Sequence, residues 1–209
     1  MMDMKNEMPC PMSDCQEVSG THSVSGIFKV MTAAHAVYND EEARNTTIEF
    51  FFDSDEDMST VVRARGLRVS SFDCERNRSV LECFTHDLQL WKTLQHFRDK
   101  KIRIQRNLKI ASPRADSEMV VLVSHPHGLS KRISIGGLVA IEKLDHTSQV
   151  GGASLAECLL TYTTATCPGA GGGAVTVYRP DGISLAFAPH CSTCGDKTNK
   201  SGLGWTLVM

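Results

Sequence analysis

Three separated stretches of the sequence carry residues that can do chemistry together. His35 ends the stretch "SGIFKVMTAAH", Asp87 interrupts the apolar run "VLECFTHDLQLW", and glycines fill "ATCPGAGGGAV". An imidazole serves as a general base, a carboxylate can orient it by accepting its Nδ1–H, and the peptide N–H groups of a glycine loop can stabilise an oxyanion. The set is typical of acyl transfer to a nucleophile. Taken alone, Asp87 is equally consistent with the capping residue of a helix.

The glycine loop has other interpretations, and its context argues against them. The letters "GAGGGA" fit a dinucleotide-binding fingerprint, but that fingerprint opens a helix, and here a strand and a turn follow in "AVTVYRPDG". A phosphate-binding P-loop needs Lys and Ser/Thr after its glycines, and this loop has neither. Between Cys167 and Thr176 there is no Ser or Thr. Cys167 precedes Pro168 and lies too early in the loop to be the expected nucleophile.

Together, these stretches resemble the trypsin-like serine peptidases of the chymotrypsin-fold group. The order His, Asp, glycine loop is the order of that group, and "EMVVLVSHPHGLSKRISIGGLVA" resembles its second-barrel strand–turn–strand. The resemblance implies that His35 is the general base and Asp87 its orienting acid. It also implies that the N–H groups of Gly169 and Gly171 form the oxyanion hole, with Gly171 in the position of the nucleophilic serine.

Glycine at position 171 has no side chain that can attack a carbonyl. We therefore expect a peptidase homologue that is catalytically inactive and acts as a binding or regulatory module for a peptide or protein in the old cleft. One alternative is a serine endopeptidase whose Ser at position 171 has been replaced in this copy. The resemblance places the substrate pocket at Ala165, Thr166, Ala188 and His190, with no acid at Ala165 to select Lys or Arg.

The cysteines suggest a second alternative, a zinc-stapled structural β protein. The stretch "HCSTC" supplies His190 and a C-x₂-C pair, Cys191 and Cys194. No other half at a standard zinc-finger spacing accompanies them; the remaining candidates are Cys10, Cys15, His22, Cys158 and Cys167. We therefore favour reduced structural cysteines and predict no metal and no cofactor.

The elements that must position these residues are mostly strands. From Gly20 onward the sequence alternates short apolar runs with turn residues, which favours an all-β barrel or sandwich. The resemblance implies a more specific fold, two antiparallel six-stranded β-barrels with the active-site cleft between them. We predict a polar lead-in at 1–19, an N-terminal barrel at 20–100 and a C-terminal barrel at 101–209, together one peptidase domain.

Two segments have helical features. One is "AHAVYNDEEARN", and the other is "HDLQLWKTLQHFRDKKIRIQRN", although its end also begins the run "KIRIQRNLKIA", which fits a strand. The second segment ends in a basic run that is either a solvated connector or a docking strip for an acidic partner.

The bulk composition limits the function classes. The chain has 209 residues and a formal net charge of −2, so no overall field favours nucleic acid or an anionic membrane. No window approaches the roughly 20 apolar residues of a membrane span, and the first residues lack the apolar segment of a signal peptide. We expect a cytoplasmic protein and make no prediction of its oligomeric state.

Overall fold

The computed structural model describes residues 8–12, 23–107, 118–150, 153–179, 184–194 and 197–208. This part of the chain is mostly strand, as predicted, and is arranged in a two-stranded ribbon, a four-stranded sheet and a seven-stranded sheet. The strands are β1 (Met8–Pro9), β2 (Ser23–Val24), β3 (Gly26–Thr32), β4 (Thr47–Phe50), β5 (Val62–Asp73), β6 (Arg78–Thr85), β7 (Met119–Ser124), β8 (Arg132–Val150), β9 (Ala153–Tyr162), β10 (Ala174–Tyr178), β11 (Ser184–Cys194), β12 (Thr198–Ser201) and β13 (Gly204–Leu207). Two α-helices, α1 (Asp40–Asn45) and α2 (Leu88–Asn107), and a 3₁₀ turn (Pro126–Gly128) complete it.

The first sheet has the strand order β3-β6-β5-β4 with antiparallel neighbours. Four strands are described here, so the predicted six strands of this half are not confirmed. Strands β3 and β6 pair along their whole length, from Gly26 opposite Thr85 to Thr32 opposite Ser79. This ladder fixes which ends of the two strands meet, and it decides where the residues that follow them lie.

Both segments with helical features contain a helix. Asn39 caps α1, since its side-chain Oδ1 accepts the N–H of Glu42 at 2.8 Å. Helix α2 is twenty residues long and includes residues 101–107, so the helical interpretation of "KIRIQRN" is confirmed and the strand interpretation is wrong. The remainder of that run, "LKIA", lies outside the described residues. The predicted division between residues 100 and 101 also falls inside α2.

Helix α2 is attached to the first sheet through the first half of its length. Leu90, Trp91 and Leu94 are buried in the core of that sheet, whereas Phe97 is half exposed. The Trp91 indole lies directly over Gly26, where a Cβ would collide with the ring. Glycine at the start of β3 therefore lets the helix approach the strand closely.

The seven-stranded sheet closes on itself. Its pairings run from β7 to β8, β9, β13, β11 and β10 and return to β7, with β12 bridging β9 and β11. Side chains directed inward from these strands form one apolar core that includes Val120, Leu160, Tyr162 and Val175. The predicted hairpin of β10 and β11 is present as an antiparallel pair, and its turn at 180–183 lies outside the described residues.

Among the described residues no helix is long and apolar enough to cross a membrane. Most of the predicted lead-in at 1–19, including Cys15, lies outside the described residues, and so does His22.

Candidate active site

His35 lies in the loop that follows β3, between the two sheets. The strand ends at Thr32, two buried alanines follow, and the imidazole is exposed. The backbone N–H of His35 donates to Oδ1 of Asn77 at 3.1 Å, which ties this loop to the residue immediately before β6. The ring is therefore held close to the C-terminal end of β3.

Gly171 faces the His35 imidazole. A Cβ atom built on Gly171 would lie 2.7 Å from Nε2 and 3.3 Å from Cε1 of the ring. The backbone of Gly171 is outside the left-handed region, so an L-residue could adopt it, and the ring would have to give way slightly. The two residues that the sequence places 136 positions apart are thus brought into direct apposition.

The backbone conformation and close packing of the loop require glycine at positions 169 and 172. Gly169 and Gly172 have φ values of +87° and +77°, which L-residues rarely adopt. A Cβ on Gly169 would approach the N of His127 at 2.7 Å, and one on Gly172 would collide with the Thr32 hydroxyl. The loop therefore packs against both sheets and can do so only without side chains at these positions.

The peptide N–H groups of the loop divide into two sets. Those of Ala170, Gly172 and Gly173 donate to carbonyl oxygens within the protein, at 2.8–3.1 Å. The N–H groups of Gly169 and Gly171 make no hydrogen bond with any residue that the structure describes. These two N–H groups are therefore available to a ligand, as the donors of an anion-binding loop must be.

Asp87 is not beside His35. Its carboxylate Oδ1 accepts the N–H groups of Gln89 at 2.7 Å and Leu90 at 2.9 Å, so it caps the N-terminus of α2. The β3–β6 ladder explains the separation, because Asp87 follows the Thr85 end and His35 follows the Thr32 end. Those ends are six residues apart, or about 20 Å along a strand. The assignment of Asp87 as the orienting acid is therefore corrected to a helix cap.

Asn77 occupies the place predicted for the acid. Its side-chain Nδ2 and Oδ1 lie 3.0 Å and 3.2 Å from Nδ1 of His35. The same Nδ2 also donates to the sulfur of Cys191, on the second sheet. Asn77 has a φ of +50°, a conformation that asparagine tolerates better than most L-residues. An amide therefore stands where a carboxylate would orient the imidazole.

The predicted pocket residues fall into two groups. Ala188 and His190 are buried in β11 and offer little surface to a ligand, contrary to the prediction that they line the pocket. Ala165 is exposed, and Thr166 is half-buried. The Thr166 hydroxyl lies 3.0 Å from Oδ1 of Asn199 and 3.2 Å from the hydroxyl of Thr193. Thr166 and its partners form a neutral polar cluster, with no acid among them.

His190 supports the glycine loop through hydrogen bonds of its backbone. Its backbone carbonyl accepts the N–H of Gly172, and its own N–H donates to the Gly173 carbonyl, both at 2.8 Å. Its Nδ1 lies 2.6 Å from the Tyr162 hydroxyl. Burial, with a smaller contribution from the charge of His35, lowers the pKa of His190 below 6.5, and burial raises the pKa of Tyr162. Both groups are therefore neutral structural supports near neutral pH.

The cysteines do not form a metal centre in the described part of the chain. No group of three or more His, Cys, Asp or Glu side chains there could hold a metal ion, so Cys191 and Cys194 find no further ligands among these residues. Cys167 is exposed, and its carbonyl accepts the N–H of Ala170. Cys191 contributes to the site through its contact with Asn77 instead.

Sequence reasoning missed Asn77, Thr193 and Asn199. A search for a carboxylate passes over an asparagine, although Asn77 directly precedes the regular strand "RSVLECFT". Thr193 and Asn199 carry no sequence signal, because only the pairing of β11 with β12 places Thr193 opposite Asn199.

Solved structures of proteases are similar to this chain, at low sequence identity. The inactive form of the Rv3671c protease, from M. tuberculosis, is 16% identical, with 83% of this chain and 72% of that chain covered and a TM-score of 0.44. The HtrA-type protease AlgW with a decapeptide is 13% identical, with 90% and 48% covered and a TM-score of 0.42. No protein-family model matches the chain, and no curated protein sequence matches it either.

Proposed function

We propose that this chain is a trypsin-like serine peptidase homologue that binds a peptide or protein segment in its cleft without cleaving it. The observation that carries the proposal is the apposition of His35 and Gly171, with a Cβ position 2.7 Å from Nε2. A base, a loop with two available N–H donors and an empty nucleophile position are what remains of acyl-transfer machinery after the nucleophile is lost.

The position of Asn77 favours this proposal over a peptidase in which only Ser at position 171 was replaced. A single replacement would leave an acid beside Nδ1 of His35, but an amide lies there at 3.0 Å and 3.2 Å. In serine peptidases, exchange of the orienting Asp for Asn keeps the geometry and costs about 10⁴ in kcat. Two of the three chemical roles are therefore absent, which is expected of a chain no longer selected for hydrolysis.

A fluorophosphonate probe tests the loss of activity. The unmodified chain should not be labelled, because labelling requires an activated hydroxyl at the oxyanion nest. The Gly171→Ser variant should be labelled only slowly, because Asn77 does not support the base. Labelling of the unmodified chain at a rate typical of an active peptidase would contradict the proposal.

Peptide binding is tested separately with the unmodified chain. Immobilised protein is incubated with a pool of N-acetylated random hexapeptides, and the retained peptides are identified by mass spectrometry. Intact peptides should be enriched over a column that carries the unfolded chain. If the folded protein retains peptides no better than the unfolded chain does, the proposed peptide binding is wrong.

A further inference from the structure

Three groups at or near Gly171 can donate hydrogen bonds. The N–H groups of Gly169 and Gly171 have no partner among the described residues. Nε2 of His35 is close enough that a Cβ on Gly171 would be in contact with it. In an active peptidase the nucleophile's hydroxyl would occupy the gap between these donors.

Asn77 permits His35 to act as one of those donors. A carboxylate beside Nδ1 can only accept, and so it holds the ring proton on Nδ1. The Asn77 amide offers a donor as well, and its Nδ2 is the nearer atom, at 3.0 Å from Nδ1 against 3.2 Å for Oδ1. When Nδ2 donates to Nδ1, the proton of the neutral ring lies on Nε2 and faces Gly171.

The exchange of an acid for an amide also changes the local charge. The side chains that contact Asn77 are the His35 imidazole and the Cys191 thiol, and neither is a carboxylate. An anion in front of Gly171 would therefore not be repelled by a carboxylate directly behind the imidazole. The site combines three donors with the absence of this negative charge.

We propose that this site binds the C-terminal carboxylate of a peptide. One carboxylate oxygen would accept from the N–H groups of Gly169 and Gly171. The second oxygen would occupy the space of the missing hydroxyl and accept from Nε2 of His35. An internal peptide bond has a single oxygen and leaves that second position empty, so the site distinguishes a chain end from a chain interior. This inference rests on the proposed peptide-binding function and names its ligand class.

The test compares two matched pools of N-acetylated random hexapeptides, one ending in a carboxylate and the other in a carboxamide. The peptide best retained from either pool is synthesised in both forms, and both dissociation constants are measured by fluorescence anisotropy. The carboxylate form should bind at least about tenfold more tightly, as expected for charge-assisted hydrogen bonds.

Two variants locate the effect. Gly171→Ala places a methyl group in the proposed oxygen position and should reduce the preference for the carboxylate to less than about twofold. Asn77→Asp should also reduce it, because it restores the negative charge and removes the amide donor to Nδ1. The matched control is Gly137→Ala, whose Cβ would lie 3.6 Å from the Thr163 hydroxyl, an ordinary contact outside the site; it should keep the full preference.

The outcomes separate the two proposals. Equal affinity for both forms in the unmodified chain would overturn the carboxylate site and leave peptide binding intact. A preference that persists in both folded variants would also overturn it, because the carboxylate would then bind elsewhere. If neither pool is retained, the peptide-binding function fails and this inference fails with it. Circular dichroism and thermal unfolding establish whether each variant is folded. If Gly171→Ala does not fold, the binding preference of Asn77→Asp still tests the carboxylate site.

Discussion

The side chain of Asn77 lies against Nδ1 of His35, with Nδ2 at 3.0 Å and Oδ1 at 3.2 Å. This contact joins the start of β6 to the loop after β3, and the Cys191 sulfur extends it to β11. Because Asn77 rather than Asp87 contacts the imidazole, Asn77 is the residue whose replacement by an acid tests the proposed loss of hydrolysis.

Two substitutions together should restore a reactive serine, whereas one should not. We predict that Gly171→Ser/Asn77→Asp reacts with a fluorophosphonate about 10⁴-fold faster than Gly171→Ser alone, because a carboxylate restores the tautomer in which Nε2 accepts the serine proton. The measurement is the rate of labelling by mass spectrometry.

A matched control distinguishes the two candidate acids. Asp87→Asn, introduced into the double variant, should leave the labelling rate within about twofold, because asparagine also caps helices well and Asp87 is bonded to α2. A large loss of labelling in this triple variant would restore Asp87 to the role that the sequence suggested. If Gly171→Ser is labelled at the same rate with and without Asn77→Asp, Asn77 does not occupy the position of the orienting acid.

The sequence was informative where the chemistry depends on residue type along the chain. His35 after a strand and the glycines at 169–173 were identified from local pattern, and the structure brings His35 and Gly171 together. Asp87 was misassigned because both a helix cap and an orienting acid present an aspartate before an apolar run. Strand register decides between them, and the register of β3 with β6 follows from packing that no local pattern encodes.

The secondary structure was also predictable only where the sequence pattern is local. Short apolar runs rich in β-branched residues predicted most strands, such as β7 and β10, because this pattern is local in the sequence. The end of α2 fitted both a helix and a strand in "KIRIQRN", because alternate isoleucine and polar residues there imitate a strand. The helix extends through these residues because its first half is stabilised by packing: Leu90 and Trp91 are buried against the first sheet, whose strands are distant in sequence.

Arg78 on β6 and Glu157 on β9 form an ion pair between the two sheets. The Arg78 Nη1 and the Glu157 Oε1 are 3.4 Å apart, and the two side chains are only 13% and 14% exposed. We predict that Glu157→Ala lowers the free energy of unfolding by about 3 kcal/mol, because it leaves a guanidinium buried without its partner. Urea unfolding measures this.

A double replacement checks that prediction. Arg78→Met/Glu157→Leu should recover most of the loss, since apolar residues of similar volume often replace a buried pair without penalty. The exposed pair of Arg63 and Glu49 is the control, and Glu49→Ala should cost less than about 1 kcal/mol. Similar losses for Glu157→Ala and Glu49→Ala would show that burial of the first pair has no energetic weight.

His190 should make the fold sensitive to mild acid. Its folded-state pKa is lowered below the ordinary 6.5 by burial and, to a smaller extent, by His35, so the unfolded chain binds a proton before the native chain does. The free energy of unfolding therefore has its full contribution from His190 above pH 6.5 and decreases as the pH falls below it, by at most about 1.4 kcal/mol per pH unit.

The measurement for His190 is urea unfolding at several values between about pH 7.5 and about pH 5, a range that spans the ordinary pKa of histidine. His190→Gln keeps a polar partner for the Tyr162 hydroxyl and does not titrate, so it should lose less stability over this range. The matched control is His146→Gln on β8, an exposed position that should keep the pH dependence of the unmodified chain. Parallel curves for the unmodified chain and His190→Gln would contradict the prediction.

The thiols should differ strongly in reactivity. Burial raises the pKa of Cys83 and of Cys158 to about 12 each, from 9.0, whereas Cys74 and Cys167 are exposed. A rise of that size lowers the thiolate fraction about 10³-fold, and burial also blocks access of a reagent. Iodoacetamide followed by peptide mass spectrometry should therefore modify Cys74 and Cys167 in the folded protein, and Cys83 and Cys158 only after denaturation. Rapid modification of Cys83 under native conditions would mean that the core of the first sheet, where it is buried with Leu81 and Trp91, opens readily.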